Sequence, residues 1–494
     1  MKSEVKNFLA LLLSQGIRFP LNVLSLSILA RLLGPADIGK WAMVTSAATI
    51  LYSVILNWTQ GANVRFGCVE WEKSETLRQT WAGRWPIIIV GFLLMLGLLV
   101  IQPFGWLEGI YQVPGNWWPI IALYFIILWV SAETQSLLQI TRKMNLLAII
   151  PIIIAILSIV YYSLLLFWIK PEGDRLVLVL LGMILISVIG WGTAGVKTFW
   201  GTKTGWSRPN RADSLKVISF GWPLVPGFVL GYLSDWGDHL LLQKFFSQYE
   251  VGLFQVAYQV MLAIYGMASP LVTVLLPRLI AGGLENDQIL VKYVSRVIPT
   301  LTAIWMLAII PMVSLLPTIF IFIMGDKWSA ALPFLVVLLI TIPGSVISHS
   351  YSILFTIQNR LPRVMSLHLI MTIANLTISI ILLATIGPLG SAIGTSISYL
   401  LSQFMYMSDQ HKFMNLPAGK PKLLLFLTLL FGCSQAVIGN HLMIRVIFGI
   451  SFLTIFIMVM RHNAVADREI IDDIFSGKLK RVRAMTHYIM HGAG

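Results

Sequence analysis

The chain has 494 residues, 57% of them apolar and only 11% charged, with a mean hydropathy of +0.82. A soluble protein carries about a quarter charged residues, so this composition excludes a soluble enzyme, a coiled coil, a disordered regulator and an extended extracytoplasmic catalytic domain. Two cysteines, Cys68 and Cys433, can build neither a disulfide framework nor a zinc site, and the net charge of +14 fits basic membrane-flanking loops better than a nucleic-acid footprint.

Fourteen apolar stretches follow one another, at 7–32, 40–62, 84–106, 117–140, 146–169, 176–198, 217–244, 251–277, 294–321, 330–356, 363–386, 389–409, 422–440 and 444–461. A helix rises about 1.5 Å per residue, so each stretch can cross a hydrocarbon core of about 30 Å. Cys433 lies inside one of them and reads as a small hydrophobe. With the N-terminus inside, 27 of the 35 Lys and Arg fall on cytoplasmic segments, 7 on the opposite side (Arg31, Lys40, Lys170, Arg175, Lys244, Lys327 and Arg445), and Arg18 within a span. That bias places both termini in the cytoplasm. The basic cluster Lys478, Lys480, Arg481 and Arg483 is expected to face anionic membrane lipids, and no aromatic platform for nucleic acid interleaves it. The first apolar stretch is too long for a cleavable signal peptide. The tryptophans, notably Trp117 and Trp118, are expected to form an interfacial belt.

One segment repeats. RLLGPADIGKW, from Arg31 to Trp41, recurs as KFFSQYEVGLF, from Lys244 to Phe254: basic, two apolar, three variable, acidic, apolar, Gly, variable, aromatic. At the same offset of 213 residues Tyr52 matches Tyr265, Arg65 matches Arg278 and Leu77 matches Leu290. Six spans separate the copies, so the repeats are parallel, related by an axis along the membrane normal. The predicted fold class is an all-α integral membrane protein with 14 transmembrane helices in two pseudo-symmetric six-helix lobes plus two C-terminal helices. The predicted divisions are an N-lobe at 1–200, a cytoplasmic linker at 201–216, a C-lobe at 217–412, the last two spans at 413–461 and a basic tail at 462–494.

A charge at mid-membrane costs about 2.5–3.5 kcal/mol on insertion scales and therefore marks a buried or water-facing position. In the first span Gln15, Arg18, Asn22 and Ser25 form one helical stripe, and in the seventh Asp235, Asp238 and His239 do the same. The repeat offset maps Asn22 onto Asp235 and Ser25 onto Asp238, so the two stripes are expected to face each other across a cavity. Arg18, with Gln15 and Asn22, is read as contacting an anionic substrate group, because guanidinium is permanently charged and matches phosphate in bidentate geometry. The competing reading is a salt bridge from Arg18 to one of the aspartates. Asp235, Asp238 and Glu133 are candidates for a coupling proton or sodium ion; a solvated rim for the aspartates and a hydrogen-bonded structural carboxyl for Glu133 are the alternatives. Arg65, Arg142, Lys143 and Arg278 could add charge at the cytoplasmic mouth, against a plain solvated-loop reading. His349 and His368 can titrate near neutrality but more often serve as interhelical hydrogen-bond partners. There is no Gly-rich phosphate loop, no HExxH and no paired carboxylates on an outer loop, so neither catalysis nor ATP-driven transport by this chain alone is expected, and neither cofactor nor metal.

Several segments resemble the polysaccharide transporter branch, the Wzx-type flippases, of the multidrug/oligosaccharidyl-lipid/polysaccharide exporter superfamily. They are LARLLGPADIGKWAMV (29–44), GANVRFGCVEWEKSETLRQTW (61–81), EVGLFQVAYQV (250–260), LLPRL (275–279) and, most specific, NLTISIILLATIGPLGSAIGTSIS (375–398). The resemblance implies a MATE-like, fourteen-helix exporter of the bacterial inner membrane working by alternating access. Its implied cargo is an undecaprenyl-pyrophosphate-linked oligosaccharide, with a polysaccharide polymerase and chain-length proteins as candidate partners and a monomer as the working state. Relatives often carry several cations in the cavity, whereas Arg18 is the one unambiguous cation here. The alternatives are a cation-coupled multidrug antiporter of the same fold, which would prefer an acidic cavity, and a membrane-embedded glycosyltransferase or polymerase, which would need longer outer loops.

Overall fold

The computed structural model describes residues 2–101, 107–168, 175–201, 208–269, 287–358, 360–438 and 441–474, with a few isolated positions besides, and among them every regular element is a helix. The chain forms two compact units, Met1–Val256 and Ala257–Gly494.

In the first unit α1 (Lys2–Leu32) is followed after a two-residue break by α2 (Pro35–Tyr52), which continues through a π-turn at Ser53–Asn57 into α3 (Trp58–Ser74). Pro35 suits the first turn of α2, where its missing N–H has no helical partner to lose. Then come α4 (Arg78–Ile101), α5 (Trp118–Ile140), α6 (Met144–Trp168), α7 (Arg175–Ser187) and α8 (Thr193–Gly201). Next are α9 (Arg211–Gly221), capped by Asn210 accepting from Ala212 N at 3.0 Å, and α10 (Val225–Phe245). Helix α11 (Gln248–Gly266) begins in this unit. Here α1 lies along α6, α2 and α3 pack on α5, α4 packs on α9, and α10 packs on α2.

The second unit holds α12 (Asp287–Lys292), α13 (Ile298–Met324), α14 (Leu332–Leu338), α15 (Ser345–Ile357), α16 (Leu361–Ile386), α17 (Leu389–Phe413), α18 (Gly419–Ile438), α19 (Leu442–His462) and α20 (Arg468–Ile474). Helices α16 and α17 form its tightest hairpin. Gly387 turns the chain at φ +80°, a left-handed value that costs a side-chain-bearing residue energy. Past the turn, Gly390 and Gly394 face α16 so closely that an added Cβ would sit 2.4 Å from the Leu382 carbonyl carbon and 2.1 Å from Ser379 Oγ. Small residues that let two backbones approach are the usual glue of membrane helices, where the lipid is as apolar as the side chains. The segment 375–398 is thus a helix-packing motif.

Ten helical stretches among the described residues are long and apolar enough to cross a membrane, and eleven if the bent pair Asp326–Thr341 and Ser345–Phe355 makes one span. With the bent pair counted, these stretches cover eleven of the fourteen expected spans. The other three expected spans fall on α1, α11 and α17, which carry Arg18 and Asn22, Gln255 and Gln259, and Thr395 and Gln403 respectively. Lipid-facing helices are apolar all round, whereas a helix with a polar stripe needs protein or water on that face. The protein is a multi-pass membrane protein, and large apolar side chains at its surface such as Phe167, Phe322 and Val437 are at home in lipid. Trp118 departs from the expected belt: it is buried, whereas Trp168, Trp200 and Trp222 are exposed.

Candidate functional site

The expected stripe on α1 is open at Arg18 and Asn22. Arg18 and Asn22 are exposed and Ser25 half-buried, while Ser14, one turn before Arg18 on the same side of the helix, donates to the Ala148 carbonyl of α6 at 2.5 Å. Gln15 lies on α1, with its side chain outside the described residues. Arg18 forms no ion pair with Asp235 or Asp238 among the described residues, so the salt-bridge alternative is absent in this conformation. A permanently charged group left open on a membrane helix calls for water or an anionic ligand.

On α10 the two aspartates part company. Asp235 is exposed; Asp238, three residues on, is buried at 3% exposure, as is His239 at 1%. His239 Nε2 shares a 2.5 Å hydrogen bond with Gln255 Oε1, and its ring lies 4.8 Å from that of Phe254 and 5.0 Å from that of Trp236. Helix α10 is tied to α2 by a 2.8 Å hydrogen bond between the Tyr232 and Ser46 hydroxyls, whereas α1 lies along α6.

Glu133, on α5, has the hydrogen-bonded setting expected of a structural carboxyl, the alternative to ion coupling. Its carboxylate is paired with the Arg84 guanidinium through both oxygens, with Arg84 Nη1 to Oε2 at 2.9 Å and Nη2 to Oε1. Gln60 Nε2 donates to Oε1 at 2.7 Å and Asn63 Nδ2 to Oε2 at 3.3 Å, while Ser136 Oγ donates to Gln60 Oε1 at 2.6 Å. Arg84 Nη2 also donates to Thr59 Oγ1 at 3.0 Å. The fixed cation supplies the charge that a coupling ion would otherwise bring, so this carboxylate has an internal counter-ion and joins α3, α4 and α5.

Sequence reasoning missed Arg84 by counting it with the cytoplasmic connection before the third span. Helix α4 begins at Arg78, so Arg84 stands six residues inside it, about 9 Å along the axis, and it is fully buried. The available signal was Glu133 itself, since a carboxylate in mid-span asks for a partner of opposite sign. Arg445, counted among outer cations, is likewise fully buried, donating to Gln435 Oε1 at 3.2 Å and to the Gln435 carbonyl at 2.6 Å.

The other expected cations scatter. Arg65 is exposed on α3 and lies 4.7 Å over the Phe220 ring, and Arg142 pairs with Glu72 at the surface. Arg278 lies outside the described residues. His349 shares a 2.9 Å hydrogen bond with the Ser345 carbonyl and has Tyr265 5.1 Å from its ring, while His368 is exposed.

Comparison with known proteins adds the family context. The family model described as "Polysaccharide biosynthesis protein" matches residues 5–281. No curated protein matches the chain in sequence. Among solved structures, a lipid II flippase MurJ in an inward closed conformation superposes with a TM-score of 0.70 at 16% identity, covering 93% of this chain and 100% of that one. An inward-facing multidrug resistance MATE family transporter of the MOP superfamily gives 0.55 at 16% identity, covering 83% of this chain and 98% of that one. The Vibrio cholerae MATE transporter VcmN gives 0.51 at 15% identity, covering 83% and 97%. At these identities the likeness is one of fold.

Proposed function

Because the chain belongs to the polysaccharide biosynthesis protein family, we propose that it flips an undecaprenyl-pyrophosphate-linked oligosaccharide, the repeat unit of a surface polysaccharide such as O antigen or exopolysaccharide. Movement is from the inner to the outer leaflet of the bacterial cytoplasmic membrane, by alternating access and with both chain termini cytoplasmic. The observation that carries the reading is the pair Arg18 and Asn22, both exposed and one turn apart on α1, a helix that lies along α6. A guanidinium there suits a pyrophosphate, and its amide neighbour suits sugar hydroxyls. The fold shared with a lipid II flippase supports a lipid-linked cargo.

Asp235, exposed on α10, is the carboxylate best placed to meet a coupling proton or sodium ion, with Asp238 buried one turn away. Glu133 serves instead as an internal counter-ion for Arg84. Arg65 and Arg278 remain proposed contacts at the cytoplasmic mouth. The test is transbilayer movement of a labelled undecaprenyl-pyrophosphate oligosaccharide in proteoliposomes under an imposed ion gradient. The wild-type protein is expected to move it; a folded protein that moves none overturns the reading.

A further inference from the structure

At the end of the α16–α17 hairpin away from Gly387, one carboxylate serves two guanidinium groups. Asp409 of α17 accepts from Arg360 Nη2 through Oδ2 and from Arg363 Nε through Oδ1, both at 2.7 Å. Arg360 is the residue that precedes α16, and Arg363 lies in the first turn, which holds no acid. Lys412, exposed and three residues beyond Asp409, adds a further cation to this end of the hairpin. The shared carboxylate therefore leaves at least one positive charge uncompensated.

Donors remain unused as well. Arg363 is 51% exposed, and its two terminal nitrogens have no acceptor among the described residues. Arg360 is mostly withdrawn from solvent, and its Nη1 is buried without a hydrogen bond. Aromatic rings hold this guanidinium in place, with its central carbon 3.8 Å from the centre of the Phe413 ring and 5.3 Å from that of Phe355. Permanently charged forks with spare donors call for an anion that carries several acceptor oxygens.

The surroundings decide which anion. Phe413 is exposed, and α16 belongs to a stretch long and apolar enough to cross a membrane. Ile370 and Ile373, about half exposed, stand seven and ten residues beyond Arg363 on the same side of the helix. Ten residues rise about 15 Å, half of a hydrocarbon core of about 30 Å. A phosphate at the arginines with an acyl chain down this stripe matches the depth of a single leaflet. A free anion in water would make no use of the stripe.

We propose that this end of the hairpin binds an anionic phospholipid. Arg363 and Arg360 hold the phosphate, Phe413 lies beside it, and one acyl chain runs along Ile370 and Ile373. The distribution of cations puts the site in the cytoplasmic leaflet, whose anionic lipids are drawn to basic pockets between membrane helices. The phosphodiester of such a lipid supplies the negative charge that Asp409 alone does not. The site rests on the membrane setting and is independent of the cargo.

The test is native mass spectrometry of the delipidated full-length protein, titrated with phosphatidylglycerol, phosphatidylcholine or inorganic phosphate. One phosphatidylglycerol is expected to stay bound at concentrations where phosphatidylcholine and inorganic phosphate do not. Arg363→Ala, which leaves Arg360 and Asp409 as a neutral pair, is expected to weaken retention about tenfold, or about 1.4 kcal/mol. Arg363→Lys keeps the charge without the planar fork, is expected to fall between the two, and serves if the alanine variant fails to fold. Lys216→Ala removes an exposed cation that likewise pairs with an aspartate, Asp213, and is expected to change nothing. Equal retention of the two lipids, or inorganic phosphate held as tightly as lipid, overturns the site. So does an Arg363→Ala protein that keeps phosphatidylglycerol as well as the parent, or a Lys216→Ala protein that loses it to the same extent.

Discussion

Arg84 and Glu133 face each other from α4 and α5 with the guanidinium and carboxylate in two-point contact, both side chains withdrawn from solvent. Burying such a pair is costly, and the energy is recovered only while both partners stay and the remaining polar atoms are bonded. Thr59, Gln60 and Asn63 supply such bonds from α3, with Arg84 Nε left without one.

Removing one partner should therefore hurt more than removing both. Arg84→Met or Glu133→Leu alone is expected to destabilise the protein by about 3–5 kcal/mol, because an unpaired charge stays buried. The double variant is expected to recover much of that loss. Thermal unfolding of the four proteins in detergent checks this, and a double variant as damaged as the sum of the singles would count against the pairing.

Arg18 should behave in the opposite way. It is exposed, so Arg18→Ala is expected to leave folding within about 0.5 kcal/mol of wild type while abolishing flipping. Arg18→Lys keeps the charge but loses the planar two-point donor and should retain part of the rate. Proteoliposome flipping alongside unfolding curves separates the two effects. Equal rates in all three proteins would make Arg18 a bystander.

Coupling should follow Asp235 rather than Glu133. Asp235→Asn is expected to flatten the response of transport to an imposed proton or sodium gradient without loss of folded protein. Glu133→Gln should lower thermal stability and leave the gradient response of the surviving protein intact. A gradient response lost in Glu133→Gln and kept in Asp235→Asn would reverse the assignment.

The α16–α17 hairpin offers a packing test. Gly390→Ala places a methyl against the Leu382 backbone and is expected to cost about 1–3 kcal/mol. Gly16→Ala, with nothing within 4 Å of the added carbon, is expected to be neutral or to gain up to about 1 kcal/mol from helix propensity. Thermal unfolding of the two variants distinguishes them, and a tolerant Gly390 would show that the hairpin can slide.

Much of this was legible in the sequence because membrane insertion writes itself into composition: long apolar runs and the positions of cations follow from the bilayer alone. The repeat was legible too, since helix ends require basic, acidic and glycine residues at set places, as in Arg31, Asp37 and Gly39. Three-dimensional pairing was not. Arg84 looked like a loop cation because its partner Glu133 is 49 residues away along the chain, and nothing in either segment announces the other. The split between Asp235 and Asp238 was hidden for a related reason: helical spacing says which residues share a face, while neighbouring helices decide which face is covered.

The first turns of α2 and α11, which carry the repeated segment, seat on each other: a Cβ added to Gly39 would lie 1.9 Å from the Gln248 carbonyl oxygen, and one added to Gly252 would lie 1.8 Å from the Pro35 carbonyl oxygen. Gln248 is the repeat counterpart of Pro35, so the contact is reciprocal. It has the form of an isologous interface, in which one patch recognises another of its own kind across a two-fold axis. Such patches arise between identical subunits. A homodimer of half-length chains, later fused end to end, would leave this contact as its inheritance. Once fused, each copy becomes the other's binding partner, so a substitution in one turn is free to persist only if the other turn still fits it.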